Sequence, residues 1–375
     1  MLYRLRRFWG SLNKIALGCA LLLLAVGWAL VLSATLPGGQ ETVFPLPADA
    51  AKQALWVALG LVALFVMATV DYHVLLRLSP WIYGGALFLL ALVLGIGHTS
   101  AGARRWFNLG KVYLQPGEFT KLGVLLMAVR LAAGAPSTAA TERRAGWGRW
   151  LLSSVVAVGI PWALIAGQPN LGTAMLLVVC AVAVWIVVGV PWTYFAGAAG
   201  SAAAIVPFGW AFFKDYQKAR LLNFLNPYRD PLGGGYTVIQ STMAIGSGGL
   251  FGRGYMHGPQ NRLNFIPKHH TDFIVSVVGE EFGWFGCLAL LAVYAFLYME
   301  GLRIAHRARD HAGTHLAVGI VALLAAQTLV NLGMSMGVVP ITGLPLPLLS
   351  YGGSSLLINA GLLGIVLNIG RQHRR

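Results

Sequence analysis

Charge is scarce in this sequence, because only 10% of its 375 residues are Asp, Glu, Lys or Arg. Soluble domains carry about 25% charged residues, so this low content argues against a soluble protein. With 57% of its residues hydrophobic, the chain has the composition of a protein that crosses a membrane several times. Cysteine is scarce as well: Cys19, Cys180 and Cys287 lie far apart in apolar stretches, which argues against disulfides between them.

Motifs of several enzyme classes are missing. The sequence has no HExxH, no CxxC pair and no P-loop, so zinc-dependent hydrolysis and ATP-driven work have no support. Acidic residues are few, 12 Asp and Glu against 27 Lys and Arg. The carboxylates are therefore the first candidates for reactive chemistry.

Long apolar segments predict ten transmembrane helices and an all-α polytopic membrane fold. They fall near residues 15–35, 54–70, 81–97, 115–134, 150–167, 171–190, 194–213, 273–300, 315–337 and 354–370. The first segment is too long for a signal-peptide core, so we expect an uncleaved first helix. We predict one integral membrane domain over residues 1–375, with a long extracytoplasmic loop at 214–272 before the eighth helix. A stretch inside that loop, "TVIQSTMAI", could form a short helix at the membrane interface.

The basic residues predict the orientation. With both termini in the cytoplasm, 15 of the 27 Lys and Arg residues lie inside. The other 12 lie outside, and all but Lys52 fall within 98–121 and 214–272. Any single one of these cations is adequately explained as a solvated loop residue, but as a set they favour an anionic partner such as a phosphorylated lipid. Nucleic acid is not expected as a partner, because these cations face away from the cytoplasm.

Three acids stand in "FIPKHHTDFIVSVVGEEFG", residues 265–283. Asp272 opens the eighth helix and from its position alone is either an N-cap or a reactive carboxylate. Glu280 and Glu281 follow about 12–13 Å deeper, at about 1.5 Å per helical residue. Ionisable groups at that depth are functional candidates, although a buried contact with polar groups of a neighbouring helix is preferred for Glu281.

A second charged pair lies in "QPGEFTK". Glu118 and Lys121 have the i,i+3 spacing that lets two side chains meet on one helical face. A solvated ion pair and a pair that shapes a polar cavity at the helix end are equally compatible with this spacing.

Six motifs in order make the chain resemble the SEDS family (shape, elongation, division and sporulation). They are "GARRWFNLG", "QPGEFTK", "QPNLGTA", "FLNPYRDPLGGGYTVIQSTMAIGSGGLFGRG", "FIPKHHTDFIVSVVGEEFG" and "VVPITGLPLPLLSYGGSSL". The motifs run from residue 101 to 356, and the ten-helix layout extends the resemblance over the whole chain. The segment "AIGSGGLFGRGYMHGPQNRLNFIP" is more like members that act in cell elongation than members that act in division.

The resemblance implies a peptidoglycan glycosyltransferase in a bacterial plasma membrane. Such an enzyme polymerises lipid II into a nascent glycan strand for cell elongation and works with a class B penicillin-binding protein. The family's essential aspartate maps to Asp272, the expected catalytic base. We expect substrate contacts from Arg104, Arg105, Trp106, Glu118, Lys121, Arg220, Lys268, His270 and Ser350. Supporting roles are expected for Asn170, Thr271, Glu280 and Glu281.

Three positions depart from the family pattern. Asn170 replaces the aspartate of "QPDLGTA", Gly117 replaces the serine of "QPSE", and Lys268 replaces an acid of the "HTDF" region. Asparagine and aspartate are similar N-caps, so we expect Asn170 mainly to cap the sixth helix. Lys268 brings a cation close to Asp272, which should favour the ionised carboxylate.

Two other functions share this topology: transport of lipid II across the membrane, and non-catalytic activation of the penicillin-binding protein. A transporter needs polar groups along its path, whereas Asp71 and Glu300 are expected near the cytoplasmic ends of helices and eight of the 12 acids are expected on the outer side. No cofactor is firmly implied. The outer Arg and Lys residues, or a bound divalent cation, would stabilise a pyrophosphate leaving group.

Overall fold

The computed structural model describes residues 10–36, 46–100, 103–108, 110, 113–135, 143–209 and 215–373. Its helices are α1 (Lys14–Thr35), α2 (Ala48–Thr69), α3 (Tyr72–Ile96), α4 (Pro116–Ala132), α5 (Arg143–Gly167), α6 (Leu171–Val188), α7 (Trp192–Gly209), α8 (Asp215–Leu225), α9 (Tyr236–Ser247), α10 (Pro259–Arg262), α11 (Ile274–His306), α12 (His311–Ser335) and α13 (Gly353–His373). A helix therefore stands at each of the ten predicted segments. Part of the stretch between the fourth and fifth predicted segments lies outside the described residues, and α5 begins at Arg143, before the predicted start at 150.

Eight of these helices, within the described residues, are long and apolar enough to cross a membrane: α1, α2, α3, α5, α6, α11, α12 and α13. This finding confirms a multi-pass membrane protein. Helix α4 has 17 residues, carries Glu118, Lys121 and Arg130, and is not among the eight. Helix α7 is not among them either, so the count of ten spans stays a prediction.

A small antiparallel sheet, which the all-α prediction did not include, precedes α4. Its strands are β1 (His98–Ser100), β2 (Ala103–Asn108) and β3 (Tyr113–Leu114), in the order β1-β2-β3. The register of β1 against β2 shifts by one residue, because Thr99 pairs with Arg104 while His98 pairs with Trp106. Arg105 is the residue left unpaired. A bulge of this kind redirects a side chain, and Arg105 is half-buried whereas Arg104 is exposed.

The predicted 214–272 loop contains regular structure. Helix α9 confirms the helix expected at "TVIQSTMAI" and packs on the bundle, where the Ser241 hydroxyl donates to the Ser335 carbonyl at 2.7 Å. Helix α8 and the four-residue α10 were not predicted. Asp230 caps the turn before α9 by accepting a hydrogen bond from the Gly234 amide at 2.7 Å, as its "RDP" context favours.

Helix α11 is interrupted where the sequence predicts one continuous helix. Gly283 has φ 64° and ψ −158°, a conformation accessible essentially to glycine alone. In an unbroken helix the amides of Trp284 and Phe285 would donate to the carbonyls of Glu280 and Glu281. Here those two carbonyls accept from Arg253 and Gly254 at 2.9 and 3.0 Å.

The freed amides beyond the break are hydrogen-bonded by the loop 249–254, to which Arg253 and Gly254 also belong. Trp284 and Phe285 donate to the carbonyls of Gly249 and Leu250 at 2.9 and 3.2 Å. The loop approaches so closely that a Cβ on Gly252 would lie 2.1 Å from the Glu281 oxygen. The glycines of "GSGGLFGRG" thus let residues 249–254 replace four hydrogen-bonding groups of the interrupted helix. The short first part of α11 directly follows the turn that contains Asp272.

Candidate active site

Asp272 lies in the turn just before α11, and its side chain does not cap that helix. The helix begins at Ile274, the capping position belongs to Phe273, and no side chain caps it. The N-cap interpretation of Asp272 is therefore wrong, because the helix starts one residue too late. The amides of Thr271 and Asp272 both donate to the Lys268 carbonyl at 3.1 Å, and Lys268 is in the left-handed region at φ 56°.

The charges of two cations act on the Asp272 carboxyl. Burial raises the pKa of Asp272 above its ordinary value, while the charges of Lys268 and Arg105, and a hydrogen bond from Thr271, oppose that rise. Lys268 comes from the same turn, and Arg105 comes from the bulge of β2. The net result is a carboxyl with a raised pKa, which is a better proton acceptor than an ordinary aspartate once it is ionised.

Arg105 is held as a partly desolvated cation. Burial lowers its pKa, Asp272 opposes that effect, and the neighbouring charge of Arg220 adds to it. Its Nε is buried without a hydrogen-bond partner in the described structure. A buried guanidinium nitrogen without a partner is costly, so this site favours an anionic ligand that could accept from it.

Other predicted residues surround this cluster. Arg220 lies on α8 and is exposed, Arg104 is exposed on β2, and Trp106 is partly exposed in the pair with His98. Thr271 also donates from its hydroxyl to the Lys268 carbonyl at 3.1 Å. Thr271 is therefore hydrogen-bonded beside Asp272, the charges of Lys268 and Arg105 act on the Asp272 carboxyl, and the charge of Arg220 acts on Arg105.

His270 and Ser350 lie on the segment where the last motif meets the Asp272 turn. The His270 carbonyl accepts from the Tyr351 amide at 3.0 Å, and burial, with the nearby His269, lowers the pKa of His270. Ser350 is 3% exposed, and its hydroxyl accepts from the Leu346 amide at 2.9 Å. Substrate contact by Ser350 stays a prediction, and these contacts favour a role in holding the turn.

Glu118 and Lys121 form a buried ion pair, so the solvated-pair alternative is wrong. Lys121 Nζ lies 2.7 Å from Glu118 Oε2, and Nζ also donates to Gln327 Oε1 at 3.0 Å. Direct substrate contact by either side chain stays a prediction.

Asn170 has the capping position that was expected. Its side-chain oxygen accepts from the Thr173 amide at 3.5 Å at the start of α6, and the residue is 4% exposed. A Cβ on Gly117 would lie 3.8 Å from Asn170 Nδ2 and 3.6 Å from Thr173 Cγ2. Two of the three departures from the family pattern, Asn170 and Gly117, therefore lie next to each other. The Cβ of a serine at 117 would fit there at ordinary contact distance.

Glu280 and Glu281 both have polar partners. Glu280 accepts from the Gln260 amide at 2.8 Å and from the Asn261 side chain at 2.6 Å, which fixes the start of α10. Glu281 accepts a hydrogen bond from the Ser33 hydroxyl of α1. The preferred interpretation of Glu281, a buried contact with a neighbouring helix, agrees with this geometry.

The sequence interpretation missed three residues that build the site. The ring nitrogens of His269 lie 2.8 Å from the Ile266 carbonyl and 2.6 Å from the Ala34 carbonyl, so His269 fastens the turn to α1. Gly343, at φ 70°, brings a loop so close that its Cβ would lie 3.6 Å from Asp272 Oδ2. Asn331 donates to the Asp272 carbonyl at 2.8 Å. Polar residues four apart in the apolar α12, Gln327 and Asn331, were the available signal.

The described residues contain no group of three or more His, Cys, Asp or Glu side chains that could hold a metal ion. The cations Lys268 and Arg105 are the positive groups that the described residues bring to Asp272.

The sequence is similar to those of known bacterial proteins over most of its length. The peptidoglycan glycosyltransferase MrdB of Escherichia coli K12 is 40% identical over 323 residues, covering 85% of this chain and 84% of that protein. The stage V sporulation protein E of Bacillus subtilis is 34% identical over 360 residues, covering 94% and 95%. The family of cell cycle proteins that comprises FtsW, RodA and SpoVE matches residues 13–375.

Solved structures agree. Thermus thermophilus rod shape determining protein RodA superposes with a TM-score of 0.70 at 28% identity, covering 97% of this chain and 98% of that one. A chain from a peptidoglycan synthase complex that coordinates polymerization and crosslinking superposes with a TM-score of 0.79 at 34% identity, covering 97% and 99%. These matches confirm the resemblance drawn from the motifs. The chain belongs to the FtsW/RodA/SpoVE family of cell cycle proteins.

Proposed function

We propose that this protein is a peptidoglycan glycosyltransferase that polymerises lipid II at the outer face of a bacterial plasma membrane, with Asp272 as the catalytic base. The observation that carries the proposal is the Asp272 carboxyl, which has a raised pKa, is subject to the charges of Lys268 and Arg105, and lies in the turn before an apolar helix of the bundle. The 40% identity to MrdB, a peptidoglycan glycosyltransferase, supports the same reaction class.

The reaction needs a base beside the attacking hydroxyl and a positive group beside the leaving pyrophosphate. A sugar hydroxyl of one lipid II attacks the anomeric carbon of the growing strand's terminal sugar, and its proton passes to the Asp272 carboxylate. A new carbon–oxygen bond forms as the bond to the lipid pyrophosphate breaks, so negative charge develops on the leaving group. Lys268 and Arg105 are suited to stabilise that charge.

The buried Nε of Arg105 supports this assignment. An oxygen of the pyrophosphate would satisfy that nitrogen, and the guanidinium would gain a charge-assisted hydrogen bond. Arg220, whose charge acts on Arg105, extends the positive region over the same side. Neutralising Arg105 should therefore weaken lipid II binding more than neutralising Arg307, an exposed residue at the other end of α11.

We infer that the protein acts in cell elongation beside a class B penicillin-binding protein, with both of its own termini in the cytoplasm. The similarity to a chain of a peptidoglycan synthase complex supports such a partnership. A role in elongation is supported by the similarity to RodA, a rod shape determining protein.

The test is polymerisation of labelled lipid II by the purified protein and by Asp272→Asn. We expect the variant to fold and to make no glycan strands, because its side chain caps no helix and keeps nearly the same shape. Asp230→Asn is the matched control, since Asp230 is an acid of the same region whose carboxylate caps a turn. A folded Asp272→Asn protein with wild-type polymerisation would overturn the catalytic assignment.

Lipid transport and non-catalytic activation predict other outcomes. A transporter would scramble labelled lipid II across liposome membranes without making strands. At the opposite end of the bundle, however, Glu300 is bonded to Asn13 and Arg303, and Asp71 is bonded to His73, which favours structural roles there. An activator would make no strands alone and would tolerate Asp272→Asn when its partner is present.

A further inference from the structure

Helix α12 carries a row of polar side chains on one face. Gln327, Asn331 and Ser335 are spaced four residues apart, so they lie on the same side of the helix, and each is 0% exposed. In a helix of this apolar character, buried amides are retained only when they are hydrogen-bonded. The partners of Gln327 and Asn331 belong to the loop between α12 and α13, to α4 and to the turn that carries Asp272, whereas the Ser335 hydroxyl donates to the Asn331 carbonyl at 3.0 Å within α12.

Asn331 joins the Asp272 turn to the Gly343 loop. Its Nδ2 donates to the backbone carbonyl of Asp272 at 2.8 Å and to the backbone carbonyl of Leu344 at 2.6 Å. An amide nitrogen has two hydrogens, so both are used. Gly343, the residue before Leu344, is the one whose Cβ would lie 3.6 Å from Asp272 Oδ2. One side chain therefore sets the distance between the carboxyl and the loop that faces it.

Gln327 anchors the same loop one residue further along. Its Nε2 donates to the Pro345 carbonyl at 2.7 Å, and its Oε1 accepts from Lys121 Nζ at 3.0 Å. Lys121 in turn pairs with Glu118, so the buried ion pair is connected through Gln327 to the residue next to the one that Asn331 holds.

We propose that Asn331 is a positioning residue for the Asp272 base: it fixes the backbone of Asp272 against the Gly343 loop and does not contact substrate. This inference rests on the proposed function of Asp272. General-base catalysis depends on the carboxylate lying within hydrogen-bond reach of the attacking hydroxyl, and a displacement of about 1 Å can cost about 100-fold in rate. Loss of the Asn331 hydrogen bonds should thus lower kcat and leave the cationic lipid II contacts in place.

The chain offers a matched control in Asn359. Asn359 is also 0% exposed, its Nδ2 donates to Ser355 Oγ at 3.2 Å, and, like that of Asn331, its Oδ1 has no hydrogen-bond partner in the described structure. It lies on α13, and its side chain is hydrogen-bonded within that helix. Asn331→Ala and Asn359→Ala remove the same atoms from equally buried positions, so a general cost of losing a buried amide should appear in both.

The experiment measures kcat and KM for lipid II, thermal unfolding and the pH dependence of kcat for both variants. For Asn331→Ala we expect kcat to fall about 10- to 100-fold with KM nearly unchanged. We also expect a shifted acid limb of the kcat profile, since the pKa of Asp272 depends on its surroundings. Asn359→Ala should keep the wild-type kcat and pH profile at a comparable loss of thermal stability. An equal change of kcat in the two variants, or a wild-type kcat in Asn331→Ala, would overturn the proposal.

A second pair of variants keeps the test decisive if Asn331→Ala does not fold. Asn331→Leu keeps the branched shape of the asparagine side chain without the two Nδ2 donors and without adding a charge, and Asn359→Leu is its control. We expect Asn331→Leu to fold and to lose kcat at least as strongly as Asn331→Ala. If both Asn331 variants unfold while both Asn359 variants fold, Asn331 is structural and the positioning role is wrong.

The two proposals fail separately. If Asp272→Asn still polymerises lipid II, the catalytic assignment of Asp272 fails whatever Asn331 does. If Asp272→Asn is inactive while Asn331→Ala keeps its kcat and pH profile, the proposed function stands and only the positioning role is lost.

Discussion

Lys121 Nζ lies 2.7 Å from Glu118 Oε2, and the two side chains are 0% and 3% exposed. Lys121 also donates to Gln327, so its charge is satisfied entirely by protein groups in the described structure. Because neither charge reaches water, each depends on the other.

Removing one member of this pair should therefore destabilise the fold. Glu118→Ala leaves the Lys121 ammonium buried without its counterion, and we expect a loss of about 3–5 kcal/mol in unfolding free energy. The double variant Glu118→Leu/Lys121→Met removes both charges and should lose less, because no unpaired ion remains. Thermal unfolding in detergent measures both. A fully stable Glu118→Ala protein that has lost only activity would instead support direct substrate contact.

Replacing Lys268 should change the pH dependence of polymerisation. The Lys268 charge lowers the pKa of Asp272, so Lys268→Met should raise that pKa further above its ordinary value. The base acts when ionised, so activity is lost as the pH falls through this pKa. The acid limb of kcat should therefore move to higher pH in Lys268→Met and stay in place in Arg307→Met. An unmoved acid limb in Lys268→Met would show that Asp272 does not control it.

Gly283 should not tolerate a side chain. Alanine would require the glycine-only conformation at φ 64° and would place its Cβ 2.4 Å from the Gly252 nitrogen. We expect Gly283→Ala to cost more than the about 1–3 kcal/mol of backbone strain alone. Gly246→Ala on α9 is the control, since its Cβ meets no atom within 4 Å and alanine is the better helix former. Equal stability of the two variants would contradict the described break in α11.

Exchanging Asn170 for aspartate should change little. Both residues are good N-caps, so Asn170→Asp should stay close to the wild-type stability, whereas Asn170→Ala should lose about 0.5–2 kcal/mol. We expect the polymerisation rate of Asn170→Asp to stay close to wild type at each pH and divalent metal concentration. A large gain in rate would mark this position as part of the catalytic machinery and contradict a mainly capping role.

Much of the fold could be predicted from the sequence, because each membrane-spanning helix corresponds to one contiguous run of apolar residues. The helix starts near 14, 171 and 353 follow this rule. The break at Gly283 could not be predicted in this way. It depends on backbone groups of residues 249–254, about 30 residues earlier, and "GEEFGWFG" has no local feature that requires it.

The site was predictable in its residues and less so in their roles. The sequence predicts Asp272, Lys268 and Arg105, and the charges of the two cations act on the carboxyl, yet the bulge at Arg105 arises from a short sheet that apolar periodicity does not reveal. Asn331 was overlooked because single polar residues in apolar helices carry little information until their partners are known. Ser350 was selected from its motif, although its hydroxyl holds a turn.

The interrupted α11 also has a consequence for local unfolding. Residues 280–285 of α11 and the loop 249–254 form hydrogen bonds with each other that satisfy peptide groups of both, and unpaired peptide groups near lipid cost several kcal/mol each. Neither piece can open without exposing the other, so the two should open as one cooperative unit. The amide hydrogens of Arg253, Gly254, Trp284 and Phe285 should exchange with deuterium at a common rate. The remainder of α11, bonded within itself, should exchange independently and more slowly.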